Sequence, residues 1–203
     1  MLDKSIPHIG VLMTRTDLAV YPRFALPEGY TFSFYQPGYD KAWAALQASV
    51  EQVDSTKEAE DIFSREFASK PEWMHRQCLF VLDGQNRLAA TASLWNGRHF
   101  GYEHLRVHYV ATALEFQGKG LAKALMTKLL EMASELVYDN FLYLTSQTWS
   151  WKALNLYAQF GFLPYRGEKP VEWRSENFKE ETRAAWALID EKISAYRRRQ
   201  ELI

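Results

Sequence analysis

The sequence predicts an α/β fold: a mixed β-sheet flanked by helices in a single domain, with an extra helix at the C-terminal end. Two observations support this. Segments with alternating or continuous apolar residues, typical of strands, interleave with segments whose apolar residues recur every three or four positions, typical of helices. The chain has 203 residues, of which 47% are hydrophobic, so it can bury a core of its own. We therefore predict one domain over residues 1–203, with a core of about 28–175 and a final helix of about 177–200.

The first half of the chain is predicted to contain most of the strands. Short apolar or aromatic runs predict two strands, at residues 9–13 and 30–35. Tyr39, Trp43, Leu46 and Val50 then recur at helical spacing, and Ser55 with Glu58 forms the capping box of a second helix that stops before Pro71. Three further strands follow, separated by Asp-Gly and Asn-Gly turns, at residues 78–82, 87–95 and 101–112.

The second half is predicted to be richer in helices. A helix of about four turns starts at Leu121, and its apolar face extends to Val137. A strand at residues 141–145 precedes a short helix that Ser150 caps and Gly161 ends in a left-handed conformation. A closing pair of strands is expected at residues 162–165 and 170–174, before the final helix. The apolar stripe of that helix is free to pack on the domain or on a second subunit, so the sequence leaves a homodimer open.

Composition narrows the partners of the chain. The formal net charge of −1 gives no reason to expect nucleic acid or an anionic membrane as a partner. Cys78 is the only cysteine, which excludes an intramolecular disulfide and is typical of a reducing compartment. Charged residues interrupt every apolar run near the start, and no run is long enough to span a bilayer. We expect a cytoplasmic protein.

The segment that organises the rest is the glycine-rich stretch between the last of these strands and the long helix. Gly118 and Gly120 lie one residue apart at a strand-to-helix junction, where glycine allows a tight turn. Backbone N–H groups in such a turn point at one spot, and the helix dipole adds partial positive charge. The stretch therefore predicts an anion site, although an ordinary glycine-rich turn has the same short pattern. The longer motifs that mark nucleoside triphosphate or dinucleotide loops are absent from the sequence.

Two motifs in this region resemble those of the GNAT superfamily of acyl-CoA-dependent N-acyltransferases. The phosphate loop of that family reads Gln/Arg-x-x-Gly-x-Gly/Ala, which Gln117, Gly120 and Ala122 fill. A later helix of the family commonly carries an Ala, a Leu-Tyr pair and a Gly-Phe pair, which correspond here to Ala153, Leu156-Tyr157 and Gly161-Phe162. The close resemblance covers about a third of the chain.

The resemblance implies an acetyl-CoA site and an N-acetyltransferase activity. Backbone groups of the strand before the loop would hold the pantetheine arm, and the loop itself would hold the diphosphate. Many relatives place an Asn near position 150, where this chain has Ser150, so that contact departs from the family pattern. The cofactor-binding residues implied are Val110, Ala111, Thr112, Gln117, Gly118, Lys119, Gly120, Leu121, Ala122, Lys123 and Ser150.

The resemblance also suggests catalytic residues for direct attack of an amine on the thioester. Tyr157 stands at the position of the family's general acid; its alternative role is that of a core aromatic residue. His108 lies nine residues before Gln117, where some relatives carry a histidine base, and it titrates near neutrality. Alternation predicts that His104, Arg106, His108 and Val110 share one face of their strand. Glu103 is a fallback base, although alternation places it on the other face.

Three alternatives stay open at the level of sequence. The chain is either an enzyme acting on a small-molecule or peptide amine, a non-catalytic acyl-CoA-binding module, or a homodimeric interaction protein that uses its last helix. A metal site is not expected, because the histidines at 99, 104 and 108 lack a compact ligand signature. The sequence does not identify the acceptor amine.

Overall fold

The structure, a computed structural model, describes residues 2–136 and 140–200 and confirms the predicted α/β fold class: a mixed sheet flanked by helices. The predicted helix position Val137 lies outside these residues. The strands of the described chain are β1 (Gly10–Arg15), β2 (Tyr30–Phe34), β3 (Cys78–Asp83), β4 (Leu88–Gly97), β5 (His104–Thr112), β6 (Leu142–Gln147) and β7 (Leu163–Pro164). Its α-helices are α1 (Tyr39–Ser49), α2 (Thr56–Glu66), α3 (Pro71–Gln77), α4 (Leu121–Leu136), α5 (Trp151–Gln159) and α6 (Phe178–Gln200).

Contacts divide the chain into two compact units. The first contains residues 21–95 and 107–136, and the second contains residues 2–20, 96–106 and, among the described residues, 140–200. One domain over residues 1–203 stays a prediction.

The first unit is organised around strands β2, β3, β4 and β5, which follow one another in that order. β3 pairs antiparallel with both β2 and β4, and the register shifts by one residue between Val81 and Leu82. Helices α1, α2 and α3 contribute to a core with many aromatic side chains that packs on β3 and β4. The buried members of this core are Trp43, Ala44, Ala59, Ile62, Phe63, Phe67, Met74, Cys78, Phe80 and Trp95.

The predicted capping box of α2 forms in a modified way. The N–H of Glu58 donates to the Ser55 hydroxyl at 3.1 Å, as expected. The Glu58 carboxylate, however, accepts the N–H of Asp54 at 2.8 Å, one residue before the usual partner. The helix ends at Glu66, before Pro71 as predicted, but Pro71 then begins α3, which the sequence analysis missed. Proline is well suited to the first turn of a helix, where its missing N–H is not needed.

The second unit is organised around β1, whose two neighbours β6 and β7 both run antiparallel to it. The closing strand predicted at residues 162–165 is present as the short β7. The prediction of a strand at residues 170–174 is wrong. Glu172 has φ 65°, and the N–H of Trp173 bonds the carbonyl of Pro170 at 3.2 Å, so this segment turns instead of extending.

The final helix α6 packs on its own unit. The predicted apolar stripe consists of Ala185, Trp186, Ile189, Ile193 and Tyr196. Its first three residues are at most 3% exposed, and α6 contacts β1 and α5. Lys192 fixes the helix to the start of the chain through an ion pair with Asp3 at 2.9 Å. The sequence left open whether this stripe packs on the chain itself or on a second subunit. Most of the stripe packs on the chain itself.

Gly161, which ends α5 in the predicted left-handed conformation with φ 81°, tests this packing. A Cβ at this position would lie 2.5 Å from Nη1 of Arg15, which is 3% exposed and donates through Nη2 to the carbonyl of Val20. We expect Gly161→Ala to lower the free energy of unfolding by more than the roughly 1–2 kcal/mol that left-handed strain costs, because Arg15 must also move. Urea unfolding measures the loss.

Gly101→Ala is the matched control. Gly101 also has a positive φ, 88°, but a Cβ there would meet no atom within 4 Å. Its loss of stability should reflect backbone strain alone. If the two variants lose the same free energy of unfolding, the contact with Arg15 is not what makes Gly161 necessary.

Candidate functional site

The glycine-rich stretch forms an open loop before α4. Gly118 and Gly120 adopt φ 77° and 84°, a conformation that costs other residues about 1–2 kcal/mol. Within the described residues, the N–H groups from Gly118 to Ala122 donate to no acceptor in the protein. The buried side chain of Leu121 anchors the start of α4. These donors, together with the helix dipole, can bind an anion.

The loop is held back onto the strand that precedes it. The side-chain amide of Gln117 donates to the carbonyl of Thr112, the last residue of β5, at 3.1 Å. Phe116 is buried and packs edge-on against Tyr30 at 6.1 Å. The conformation of the loop is therefore fixed at its first residues, while its glycines stay exposed.

Two lysines predicted at the rim of the loop lie over aromatic rings. Nζ of Lys119 is 5.0 Å from the ring centroid of Phe116, and Nζ of Lys123 is 4.9 Å from that of Phe24. The main-chain N–H of Phe24 donates to the hydroxyl of Thr127 in α4 at 3.0 Å. The two ammonium groups thus carry positive charge near the start of α4, where an anion would be bound.

His108 is paired with a carboxylate that the sequence analysis missed. Nε2 of His108 lies 2.8 Å from Oε2 of Glu66, the last residue of α2. The side chain of His108 is 12% exposed and that of Glu66 is 25% exposed, so the pair is partly shielded from solvent. A carboxylate in this position fixes one tautomer of the imidazole and stabilises its protonated form, which is the arrangement a general base needs.

The strand that carries His108 is irregular at the next residue, which corrects the predicted alternation. Tyr109 has φ 48°, a left-handed conformation in the middle of β5. The Tyr109 hydroxyl reaches the other oxygen of Glu66 at 3.4 Å, and the two neighbouring rings lie 4.1 Å apart. Consecutive residues of a regular strand point to opposite faces, but here both point to Glu66. His108 and Val110 therefore do not share a face through simple alternation.

The fallback base Glu103 lies just before β5. Its side chain is 43% exposed, and its two oxygens accept from Nδ2 of Asn96 and Nη2 of Arg98, each at 3.0 Å. Both oxygens of the carboxylate thus already accept hydrogen bonds from neighbouring side chains. This arrangement suits a structural role at the turn better than proton transfer.

Tyr157 lies in α5 within the second unit and is 6% exposed. Burial raises the pKa of its hydroxyl above the ordinary value, so the phenol stays neutral near pH 7.

Ser150 is also buried at the start of α5, but the predicted side-chain cap is wrong. Its hydroxyl makes no capping bond, and its N–H instead donates to Oε1 of Gln147 at 3.0 Å.

Of the implied pantetheine-binding residues, Ala111 is buried whereas Val110 and Thr112 are partly exposed. No group of three or more metal-ligating side chains stands together in residues 2–136 and 140–200. In the same residues, every helix is too short or too polar to cross a bilayer.

Replacing Glu66 by Gln tests the His108 pair. The neutral amide keeps the shape of the side chain but no longer stabilises the imidazolium, so His108 should titrate at a lower pH. An NMR titration of the histidine side chains measures this shift. Glu60→Gln, an exposed change on the same helix, should leave the titration unchanged. An unaltered His108 midpoint in Glu66→Gln would show that the pair does not control this histidine.

Comparison with known families agrees with the motifs. The sequence profile of the family described as "Acetyltransferase (GNAT) family" matches residues 42–162, which is more than half of the chain. The match includes β3, β4 and β5, the glycine-rich loop, α4 and α5. A comparison with curated proteins finds no match.

Solved structures show the same fold at low sequence identity. A GCN5-related N-acetyltransferase from Sphaerobacter thermophilus matches with a TM-score of 0.60 and 18% identity over 78% of this chain and 49% of its own. A GNAT-family acetyltransferase from Colwellia psychrerythraea matches with a TM-score of 0.58 and 13% identity, over 79% of this chain and 55% of its own. A tandem GNAT protein from the clavulanic acid biosynthesis pathway matches with a TM-score of 0.58 and 16% identity, over 81% of this chain and 52% of its own. This chain thus spans about half the length of these structures.

Proposed function

The chain belongs to the acetyltransferase (GNAT) family, and on that premise we propose that it is an N-acetyltransferase. It transfers an acetyl or similarly short acyl group from acetyl-CoA to a primary amine of a small molecule or peptide. The observation that carries this proposal is the loop from Gly118 to Ala122, whose N–H groups have no acceptor in the described protein. A diphosphate would supply the acceptors that these N–H groups lack.

We assign the cofactor to the residues that the family pattern indicates. Backbone groups of residues 110–112 hold the pantetheine arm, residues 117–123 hold the diphosphate, and Ser150 replaces the Asn of many relatives. Gln117 acts by positioning, since its amide fixes the loop to Thr112. Lys119 and Lys123 add positive charge. The proposal includes no metal, and it places the enzyme in the cytoplasm.

The proposed reaction is direct attack within a ternary complex. The amine nitrogen forms a bond to the thioester carbon, and the bond from that carbon to sulfur breaks. His108 takes the proton that the amine must lose, directly or through water, and Glu66 stabilises the imidazolium that results. The thiolate of CoA leaves and receives a proton. No cysteine nucleophile is involved, because burial raises the pKa of Cys78 to about 12 and keeps it a thiol.

We assign Tyr157 to the leaving thiolate. A phenol normally has a pKa of about 10 against about 8.5 for a thiol, so full proton transfer to sulfur is uphill. Burial of Tyr157 raises its pKa further, which keeps the phenol neutral and makes it a weaker acid. The hydroxyl therefore acts first by donating a hydrogen bond to sulfur, and proton exchange with solvent follows.

Cofactor binding is tested by calorimetric titration with acetyl-CoA. The intact protein should bind saturably, and Gly120→Asp should lose binding, because a carboxylate there strains the turn and repels the diphosphate. Gly29→Asp is the control. Gly29 also has a positive φ, 82°, in the same unit, and a Cβ there would meet no atom within 4 Å, so this variant shares the strain but should keep binding. An intact protein that does not bind acetyl-CoA would contradict the proposal.

The role of Tyr157 is tested by Tyr157→Phe. We expect kcat to fall about 100-fold, within the range of general acid contributions, while acetyl-CoA still binds with its normal affinity. Acceptor-dependent release of the CoA thiol, measured over a panel of amines, gives kcat. Tyr102→Phe is the control. It removes an exposed hydroxyl of the same unit and should leave kcat unchanged. An unchanged kcat in Tyr157→Phe would remove this residue from the mechanism.

The alternative is a non-catalytic acyl-CoA-binding module with the same fold. The departure at Ser150, where many relatives carry an Asn, favours this alternative. Saturable binding of acetyl-CoA without acceptor-dependent thiol release would establish this alternative. A dimeric interaction protein built on α6 has less support, because Ala185, Trp186 and Ile189 are already buried within the chain.

A further inference from the structure

We propose that a cavity at the N-terminal end of α6 is a second anion site, which binds the phosphate group of a small soluble phosphomonoester. The cavity has a volume of about 210 Å³. Its lining residues, all in the second unit, are Arg166, Gly167, Phe178, Lys179, Thr182 and Arg183. None of these residues is among those proposed to hold the diphosphate.

The hydroxyl of Thr182 lacks a partner in a position where one is expected. Thr182 is 5% exposed, and among the described residues its hydroxyl neither donates nor accepts a hydrogen bond. Thr127, by comparison, bonds back to the carbonyl of Lys123 at 3.0 Å, the usual arrangement for a threonine in a helix. Thr182 is one of the residues that line the cavity. A bound ligand would supply the hydrogen-bond partner that this hydroxyl lacks within the described protein.

Three cationic side chains surround the same cavity. Lys179 pairs with Glu168 at 3.0 Å, whereas Arg166 and Arg183 form no ion pair with any described residue. Lys179 and Arg183 are four residues apart on α6, and like charges at this spacing repel each other. An anion in the cavity would relieve this repulsion, and guanidinium groups match the geometry of phosphate oxygens.

The N-terminal end of α6 adds to the positive electrostatic potential at the cavity. α6 has 23 residues, and the N–H groups of its first turn carry the positive end of its dipole. Glu180 and Glu181 also lie in this turn, but both are exposed and neither lines the cavity. Apart from Glu168, which is 87% exposed, no carboxylate is bonded to the cations of the cavity in the described chain. The local balance of charge therefore favours an anion.

The walls of the cavity are fixed by packing. A Cβ on Gly167 would lie 2.6 Å from the hydroxyl oxygen of Tyr165 and 2.7 Å from its Cζ, so only glycine allows the chain to pass this ring. The same ring packs against Phe178, the first residue of α6, at 6.4 Å. Tyr165 thus holds the turn with Arg166 and the start of the helix together. The cavity is smaller than the 300 Å³ or so of pockets for drug-sized ligands, which favours a small phosphomonoester.

Titration with glycerol 3-phosphate tests the proposal, with inorganic phosphate as the second probe. The titration is made on the Gly120→Asp protein at constant ionic strength, set with chloride, so that the proposed diphosphate loop cannot contribute. We expect saturable binding with a Kd of about 1 mM or tighter. Arg183→Gln should weaken binding about tenfold or more, and Thr182→Val about threefold or more, whereas Thr182→Ser, which keeps the hydroxyl, should bind normally.

Arg198→Gln is the matched control, since Arg198 is an exposed cation in the last turn of the same helix. It should leave the Kd unchanged. Tighter binding of glycerol 3-phosphate than of inorganic phosphate supports a phosphomonoester as the ligand. The proposal is overturned if neither probe binds saturably, if inorganic phosphate binds more tightly, or if Arg198→Gln weakens binding as much as Arg183→Gln. None of these outcomes depends on whether the intact protein binds acetyl-CoA.

Discussion

The left-handed backbone at Tyr109 is the constraint on which the first unit depends most. A non-glycine residue in this conformation persists only when its surroundings hold it there. The Tyr109 ring packs edge-on against Trp43 at 5.0 Å, its carbonyl accepts from the Gln47 amide at 3.3 Å, and its hydroxyl reaches Glu66. Helices α1 and α2 thus both fix the irregular point of β5. The break in alternation directs His108 toward Glu66 and creates the histidine–carboxylate pair.

The same strand leads directly into the anion loop. β5 ends at Thr112, whose carbonyl receives the amide of Gln117, so the conformation of the loop is tied to the end of the strand. The irregularity at Tyr109 and the glycines at 118 and 120 therefore act on one continuous segment. The first sets the direction of the proposed base, and the second keeps the N–H groups of the loop unoccupied. Both are local departures from regular structure at the places where chemistry is proposed.

Much of the fold and part of the candidate site could be predicted from sequence. The loop, α4 and the left-handed end of α5 at Gly161 follow from short motifs, because glycine geometry and helical periodicity are local properties. Glu66 could not be predicted as a partner of His108. It lies 42 residues earlier in the chain, at the end of a helix, and nothing in its neighbourhood distinguishes it from an ordinary exposed glutamate. The only available signal was its position three residues after Phe63, on the second predicted helix.

By itself, the sequence determined the fold class, the family and the loop with its free N–H groups, since each is encoded by neighbouring residues. The tertiary structure alone decided which carboxylate faces His108, that the Ser150 side chain does not cap α5, and that Thr182 lines a cavity with two arginines that form no ion pair with any described residue. The first of these depends on two residues that are 42 positions apart in the chain and on a strand that departs from alternation. After an irregular residue in a strand, simple alternation no longer predicts which face a side chain lies on. Tertiary packing decides it instead.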